Sequence, residues 1–400
     1  MLKGILSSAF IVLFSCLLNG GCNAESVIDE AVTTDSVVDS DSDSVSIELL
    51  RMGLRFSVDS TWPVLPNDWV LGQIPSVAVD GKDHVWILNR PRTVSAEHQD
   101  RAAPPVLEFD ELGQFVQGWG GPSDAYEWPS IEHGIHVDYA GYVWIGGNNA
   151  ASETDMSVQS DDMLLKFSNT GELVLQIGLR NQSSGNADTE NMHRPADVAV
   201  HAATNEVFVA DGYGNRRVIV LDADSGAFKR MWGAFGNEPP GGAPPYERPE
   251  QTEPNNTEDE SPGPDRFGVV HGLKVSDDGH VYVADRGNRR IQVFTIDGTY
   301  VDQVFINRQG EAINSVAGLA FSPDSEQRHL YVADFGNSQI TVVDRLSLEV
   351  LDSFGSRGEL PGQFQNVHHL AVDSVGSIYT AEVNPGNRAQ RFVISELSSP

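Results

Sequence analysis

Cysteine is nearly absent from this chain. It has two, Cys16 and Cys22, both in the first 22 residues, so anything folded beyond them has no internal disulfide. Positive charge is scarce: 26 Lys and Arg stand against 57 Asp and Glu, a formal net charge of −31. A field of that sign repels phosphate backbones and anionic lipid, which excludes DNA and RNA as partners. Beyond the N-terminal segment no run is long and apolar enough to span a bilayer. Helical periodicity is missing as well. Apolar residues come in short runs, not every third and fourth position, so a helical bundle is excluded.

What is present begins with an export segment. Met1-Leu2-Lys3 supplies a positive charge, Ile5 to Leu18 is mostly apolar, and Asn19-Gly20-Gly21-Cys22 follows. This reads as a signal peptide over 1–22, of the lipoprotein type, with Cys22 lipidated. Asn19 stands where an aliphatic residue is usual, and Leu13-Phe14-Ser15-Cys16 is a competing site with a very short apolar core. An ordinary secretory signal or an uncleaved anchor are the alternatives. The expectation is an exported protein held at the cell envelope, in the periplasm or at the outer membrane, that touches membrane only through its lipid; otherwise it is secreted. Residues 23–46 are acidic, rich in Ser and Asp and free of aromatics, and predict a disordered tether.

The full chain is 40% hydrophobic, with many Gly and Pro to close turns, and from about residue 47 to 400 a short β-rich run recurs six times. The runs are Val85-Trp86-Ile87-Leu88, Val143-Trp144-Ile145-Gly146, Val207-Phe208-Val209-Ala210, Val281-Tyr282-Val283-Ala284, Leu330-Tyr331-Val332-Ala333 and Ile378-Tyr379-Thr380-Ala381. Each is preceded by a short strand and a turn, and most are followed by a third and a fourth strand. Four strands per repeat and six repeats predict an all-β, six-bladed propeller, whose blades bury their faces only against one another. The last repeat ends with Arg391-Phe392-Val393-Ile394 and lacks a fourth strand. Leu54-Arg55-Phe56-Ser57-Val58 precedes the first repeat and is expected to fill that place, closing the ring and removing an open edge. The phrases Ala284-Asp285-Arg286-Gly287-Asn288-Arg289-Arg290-Ile291 and Ala333-Asp334-Phe335-Gly336-Asn337-Ser338-Gln339-Ile340 resemble the NHL repeat, whose Gly and Asn suit a tight turn. Residues 237–265 form a Pro-rich acidic insertion, expected to be a disordered surface loop.

The first strand of each propeller blade lines the central channel. Aligned on the end of that strand, the six channel residues are Pro75, His133, Ala196, His271, Ala317 and His368. Histidine occupies blades two, four and six. In a rotationally repeated fold equal register is equal height, so the three imidazoles converge on one point with room for a fourth ligand, as in a catalytic zinc site. A lone histidine in such a place is as readily a buried residue bonded to backbone or water. Strict alternation of three favours a metal.

The segments SVAVDGKDHVWILNR (76–90), EHGIHVD (132–138), RPADVAVHAATNEVFVADGYGNRRVIVLD (194–222), VVHGLKVSDDGHVYVADRGNRRIQVF (269–294) and VHHLAVD (367–373) resemble the catalytic core of peptidyl-α-hydroxyglycine α-amidating lyase. The resemblance spans about residues 72–394. It implies a lyase that breaks the C–N bond of a carbinolamide, giving an amide and glyoxylate. It implies zinc on His133, His271 and His368, Tyr213 as catalytic base, and Arg90 and Arg286 on the substrate carboxylate. It also implies a structural calcium, held in part by the carbonyls of Val77 and Ile135. The acid of that calcium site falls on His369 here, which puts calcium in question and leaves His369 as a possible further nitrogen ligand. Gly214 stands where the resemblance has a disulfide-forming cysteine. The expected partner is a small molecule or a peptide C-terminus, and a monomer is expected. The competing readings are a non-catalytic NHL propeller binding a peptide, glycan or protein at the envelope, and a metal-dependent propeller hydrolase. Imidazole ligands weigh against the second of these, since a hard cation prefers carboxylates.

Overall fold

The computed structural model describes residues 45–49, 54–152, 154–241, 261–308 and 314–396. The signal, lipidation and most of the tether readings lie outside the described residues, as does 242–260 of the insertion. Six antiparallel sheets follow one another around a ring. Blade one is β3 (Gln73–Val79), β4 (Val85–Arg90), β5 (Val106–Phe109) and β6 (Phe115–Trp119). Blade two is β7 (Glu132–Val137), β8 (Val143–Gly147), β9 (Leu164–Phe167) and β10 (Leu173–Ile177). Blade three is β11 (Asp197–His201), β12 (Glu206–Asp211), β13 (Arg217–Asp222) and β14 (Phe228–Trp232). Blade four is β15 (Val270–Val275), β16 (His280–Asp285), β17 (Arg290–Thr295) and β18 (Tyr300–Phe305). Blade five is β19 (Val316–Phe321), β20 (His329–Asp334), β21 (Gln339–Asp344) and β22 (Val350–Phe354). Blade six has β23 (Val367–Val372), β24 (Ile378–Glu382) and β25 (Arg388–Glu396) from the C-terminal end.

The fourth strand of blade six comes from the other end of the chain. β2 (Leu54–Asp59) pairs with β25 from Leu54↔Glu396 to Asp59↔Arg391. β1 (Ser46–Leu49) then adds a fifth, outermost strand. Ring closure by the N-terminal strand therefore holds.

Local chemistry explains why these segments pair. In blades one, two and six an Asp opens the turn between first and second strands. Asp138 Oδ1 accepts the amides of Ala140 and Tyr142, and its Oδ2 takes the Trp144 indole N–H. Asp80 does the same for Lys82, His84 and Trp86, and Asp373 for Val375, Ser377 and Tyr379. Each carboxylate fixes the turn and anchors an aromatic that fills the gap between blades. The buried apolar residues divide into six clusters, each shared by two adjacent blades; Trp86 and Leu88 of blade one, for example, pack with Ile135 and Ile145 of blade two. No blade has a core of its own, which is why the ring must close.

A second repeated device sits after the second strand. Arg217, Arg290 and Arg388 pair with Asp211, Asp285 and Glu382, at 2.8, 2.9 and 2.7 Å. Their remaining N–H groups take carbonyls of the segment entering the blade: Asn186, Asp188 and Asn191 for Arg217, and Pro262 and Pro264 for Arg290. Residues 262–264, the described end of the insertion, are thereby tied to the ring.

Candidate metal and active site

His133, His271 and His368 are each the second residue of a first strand, in β7, β15 and β23. Antiparallel pairing places the beginnings of these strands beside the ends of the second strands, as in Val270↔Asp285 and Val367↔Glu382. The residue that follows each second strand therefore borders the same end of the channel. All three rings are at most 4% exposed, and their ring nitrogens lie within 4.8 Å of one another.

The side chains are aimed by the neighbouring blades. His133 Nδ1–H donates to the Ala196 carbonyl at 2.7 Å, His271 Nδ1–H to Ala317 at 2.9 Å, and His368 Nδ1–H to Pro75 at 2.6 Å. Ala196, Ala317 and Pro75 are the channel residues of the blades without histidine. The structure makes their carbonyls the orienting partners of the histidines. A missed signal accompanies this. His133 and His271 are followed by Gly134 and Gly272, and a Cβ there would fall 2.5 Å from Ala196 O and 2.7 Å from Ala317 O. Only glycine lets those carbonyls approach, so the His-Gly dipeptide is part of the site.

A carbonyl can only accept, so all three Nδ1 atoms carry the proton and all three Nε2 atoms present lone pairs. His271 Nε2 and His368 Nε2 face each other at 3.2 Å. Tyr213 Oη lies 2.9 Å from His133 Nε2 and 3.1 Å from His271 Nε2, and its one proton can serve only one of them. Lone pairs crowded at this distance repel unless a cation lies among them. Burial, followed by the charges of neighbouring groups, holds all three imidazoles well below their ordinary range, which keeps them neutral, the state a metal requires. Three neutral, oriented imidazoles fit a metal ion with room for a further ligand.

The other expected residues gather here. Tyr213 follows β12, Arg286 follows β16, and Arg90 ends β4. Arg286 Nη1 is 3.3 Å from Tyr213 Oη, and its guanidinium lies 5.3 Å from the ring centroid. Arg90 donates Nε–H to the Glu132 carbonyl and Nη1–H to Gln73 Oε1, both at 2.8 Å. Burial first, then the charge of Arg92, brings Arg90 down to about 10, so it remains cationic at neutral pH. Among the described residues neither Arg90 nor Arg286 forms an ion pair with a carboxylate, although they are 8% and 9% exposed, and Arg286 Nε has no partner. Two buried cations without a carboxylate ion pair beside the triad leave N–H donors that suit an anion.

One participant was not legible in the sequence. Arg194 stacks its guanidinium 5.6 Å from the Tyr213 ring, opposite in the chain's order to Arg286, and bonds the carbonyls of Asn148 and Tyr213. His369 is buried beside the triad, with ring centroids 5.0 Å from His368 and 5.3 Å from His271, but it is not among the nitrogens that converge. A second group that satisfies simple ligand distances, Asp80, His84 and Glu108, has its Asp80 carboxylate already engaged by the turn and Trp86.

Comparison with known proteins agrees with this picture. Residues 267–294 match the NHL repeat. Peptidylglycine alpha-amidating monooxygenase of Rattus norvegicus is 26% identical over 343 residues, 81% of this chain and 31% of that protein. The chain thus spans about a third of the length of that relative. NHL repeat-containing protein 3 of Homo sapiens is 27% identical over 349 residues, 85% of this chain and 84% of that protein. Peptidyl-alpha-hydroxyglycine alpha-amidating lyase 2 of Drosophila melanogaster is 27% identical over 180 residues, 40% of each chain. The chain is a six-bladed propeller that carries an NHL-repeat match at 267–294 and resembles relatives named for the amidating lyase.

Proposed function

We propose that this NHL-repeat propeller is a zinc-dependent lyase for carbinolamides of the α-hydroxyglycine type, releasing an amide and glyoxylate. The carrying observation is the convergence of three Nε2 lone pairs and the Tyr213 hydroxyl between two buried arginines that lack carboxylates. The arginines' forks match the carboxylate of the substrate's terminal residue and would hold it at the triad. His133, His271 and His368 would hold the ion, which supplies Lewis acidity toward the substrate hydroxyl. Tyr213 Oη would accept the hydroxyl proton. As the C–N bond breaks, the C–O bond becomes the aldehyde of glyoxylate and the proton passes to the departing amide nitrogen, so no atom or electron is left over. The relatives named for this lyase support the reading, and the longer match to NHL repeat-containing protein 3, over 349 residues against 180, does not discriminate against it.

The test pairs metal analysis with a glyoxylate-release assay on an α-hydroxyglycine peptide. About one zinc per chain, lost in His271→Ala, together with glyoxylate release is the expected result. Zinc without glyoxylate would leave the metal centre and remove the substrate. No transition metal in the wild type would remove the proposal.

A further inference from the structure

Beside the histidine triad lies a second group of polar side chains that the proposed chemistry does not use: His136 and Lys274, both half-buried, and Asp197 and His369, both buried. The resemblance places a calcium ion in this region, near the carbonyls of Val77 and Ile135, with an acid at position 369. The donors present can be weighed against that ion. Position 369 offers an imidazole, which is neutral or positive but never negative, and its Nε2 has no partner. Calcium selects oxygen ligands and needs carboxylate charge to offset its own. The carboxylate of this group is Asp197, 3% exposed. Its Oδ2 is taken twice, by the Leu273 amide at 3.1 Å and by Lys274 Nζ at 3.1 Å. Lys274 Nζ also donates to the Leu273 carbonyl at 3.1 Å. A carboxylate oxygen and a carbonyl oxygen are the donors a metal cation would seek; here an ammonium has Oδ2 and the carbonyl, which leaves Asp197 Oδ1 buried without a hydrogen-bond partner. The His136 ring of blade two accepts the Val200 amide on Nε2 at 3.2 Å, so it too has its acceptor spent. Of all charges, Lys274 acts most strongly on both the His136 and the His369 rings.

The charge sum follows. Asp197 and Lys274 cancel, and the two imidazoles add nothing. A divalent ion placed here would bring uncompensated charge into a buried layer and face an ammonium, at a cost of several kcal/mol. We propose that Lys274, seated on Asp197, is the resident cation of this layer, and that the layer has no calcium site. Blades three and four are then joined by a side chain of the chain itself, and the single exogenous ion is the one in the histidine triad. The assignment stands apart from the lyase reading, because its readout is metal content and stability.

The experiment uses the full chain purified with its transition metal. Elemental analysis after gel filtration in calcium-free buffer is expected to find no calcium, and millimolar calcium is expected to leave the Tm unchanged. Stoichiometric calcium, or a rise in Tm on adding it, would overturn the assignment. Lys274→Met removes the ammonium and strands Asp197, and a fall in Tm of about 5 °C or more is expected; an unchanged Tm counts against it. The double variant Lys274→Ala with His369→Asp exchanges the ammonium for an acid. When folded, it should gain a calcium-dependent rise in Tm, and the absence of that rise also counts against the assignment.

Discussion

Arg286 and Arg290 leave the same turn of blade four, four positions apart, and meet opposite fates. Arg290 is fully buried, paired with Asp285 and bonded to carbonyls of Pro262 and Pro264. Arg286 is almost as buried, yet it has no carboxylate, and it points at Tyr213. Blade three repeats the contrast: Arg217 is clamped to Asp211, while Tyr213, at the place of Arg286, reaches the histidines. The arginine that recurs from blade to blade is scaffold. The position that changes, holding Arg90, Tyr213, Arg286 and Phe335 in blades one, three, four and five, supplies the three residues of the proposed chemistry. Within an internal repeat, what recurs builds the frame and what departs from it is available for function.

The contrast can be tested from either side. Tyr213→Phe keeps the ring between Arg194 and Arg286 but removes the oxygen that meets the imidazoles. Glyoxylate release should fall about 10²–10⁴-fold with little change in Tm, and a variant within a factor of a few of wild type would return Tyr213 to the scaffold. Arg290→Met should do the reverse. It leaves Asp285 buried and unpaired, at a cost of about 3–5 kcal/mol, read as a lower midpoint in denaturant. Arg286→Ala should lower kcat/KM about 100-fold through weaker hold on the substrate carboxylate. Its Tm should stay near wild type, because no partner is stranded; a loss of stability equal to that of Arg290→Met would erase the distinction.

The smallest effect concerns acid. Burial, then the charge of Lys274, pushes His136 down from 6.5 to about 3. Above pH 6.5 the ring is neutral in both folded and unfolded chains. Between 6.5 and about 3 the unfolded chain binds a proton that the folded one refuses, so stability falls as pH drops through that window. His136→Gln, which keeps an acceptor for the Val200 amide, should fall less steeply than wild type when Tm is followed from pH 7 to pH 4.

Much of this was legible in the sequence. The six recurring runs gave blade number, and the apolar Leu54–Val58 segment gave the closing strand, because hydrophobic pattern and repeat period are local properties. The three histidines emerged from register alone, since equal register means equal height on an axis. Less legible was anything that depends on the blade next door. The carbonyls of Pro75, Ala196 and Ala317 have no side-chain signature, and the glycines after His133 and His271 make sense only once the approaching oxygens are known. Lys274 of blade four meets an Asp of blade three seventy-seven positions earlier. Such pairs lie one blade apart in space and far apart in sequence, beyond the reach of any motif.

The clasp between β2 and β25 has a consequence in time. Leu54 pairs with Glu396, so the last sheet is completed only when the two ends of the propeller meet. Contacts of such separation form late and slowly. The imidazoles of blades two, four and six can face one another only in the closed ring, so the metal centre should be the last feature to mature in folding. Once assembled, the ring can lose it without unfolding only if the clasp holds, and the exchange of bound metal should therefore report on how often β2 lets go.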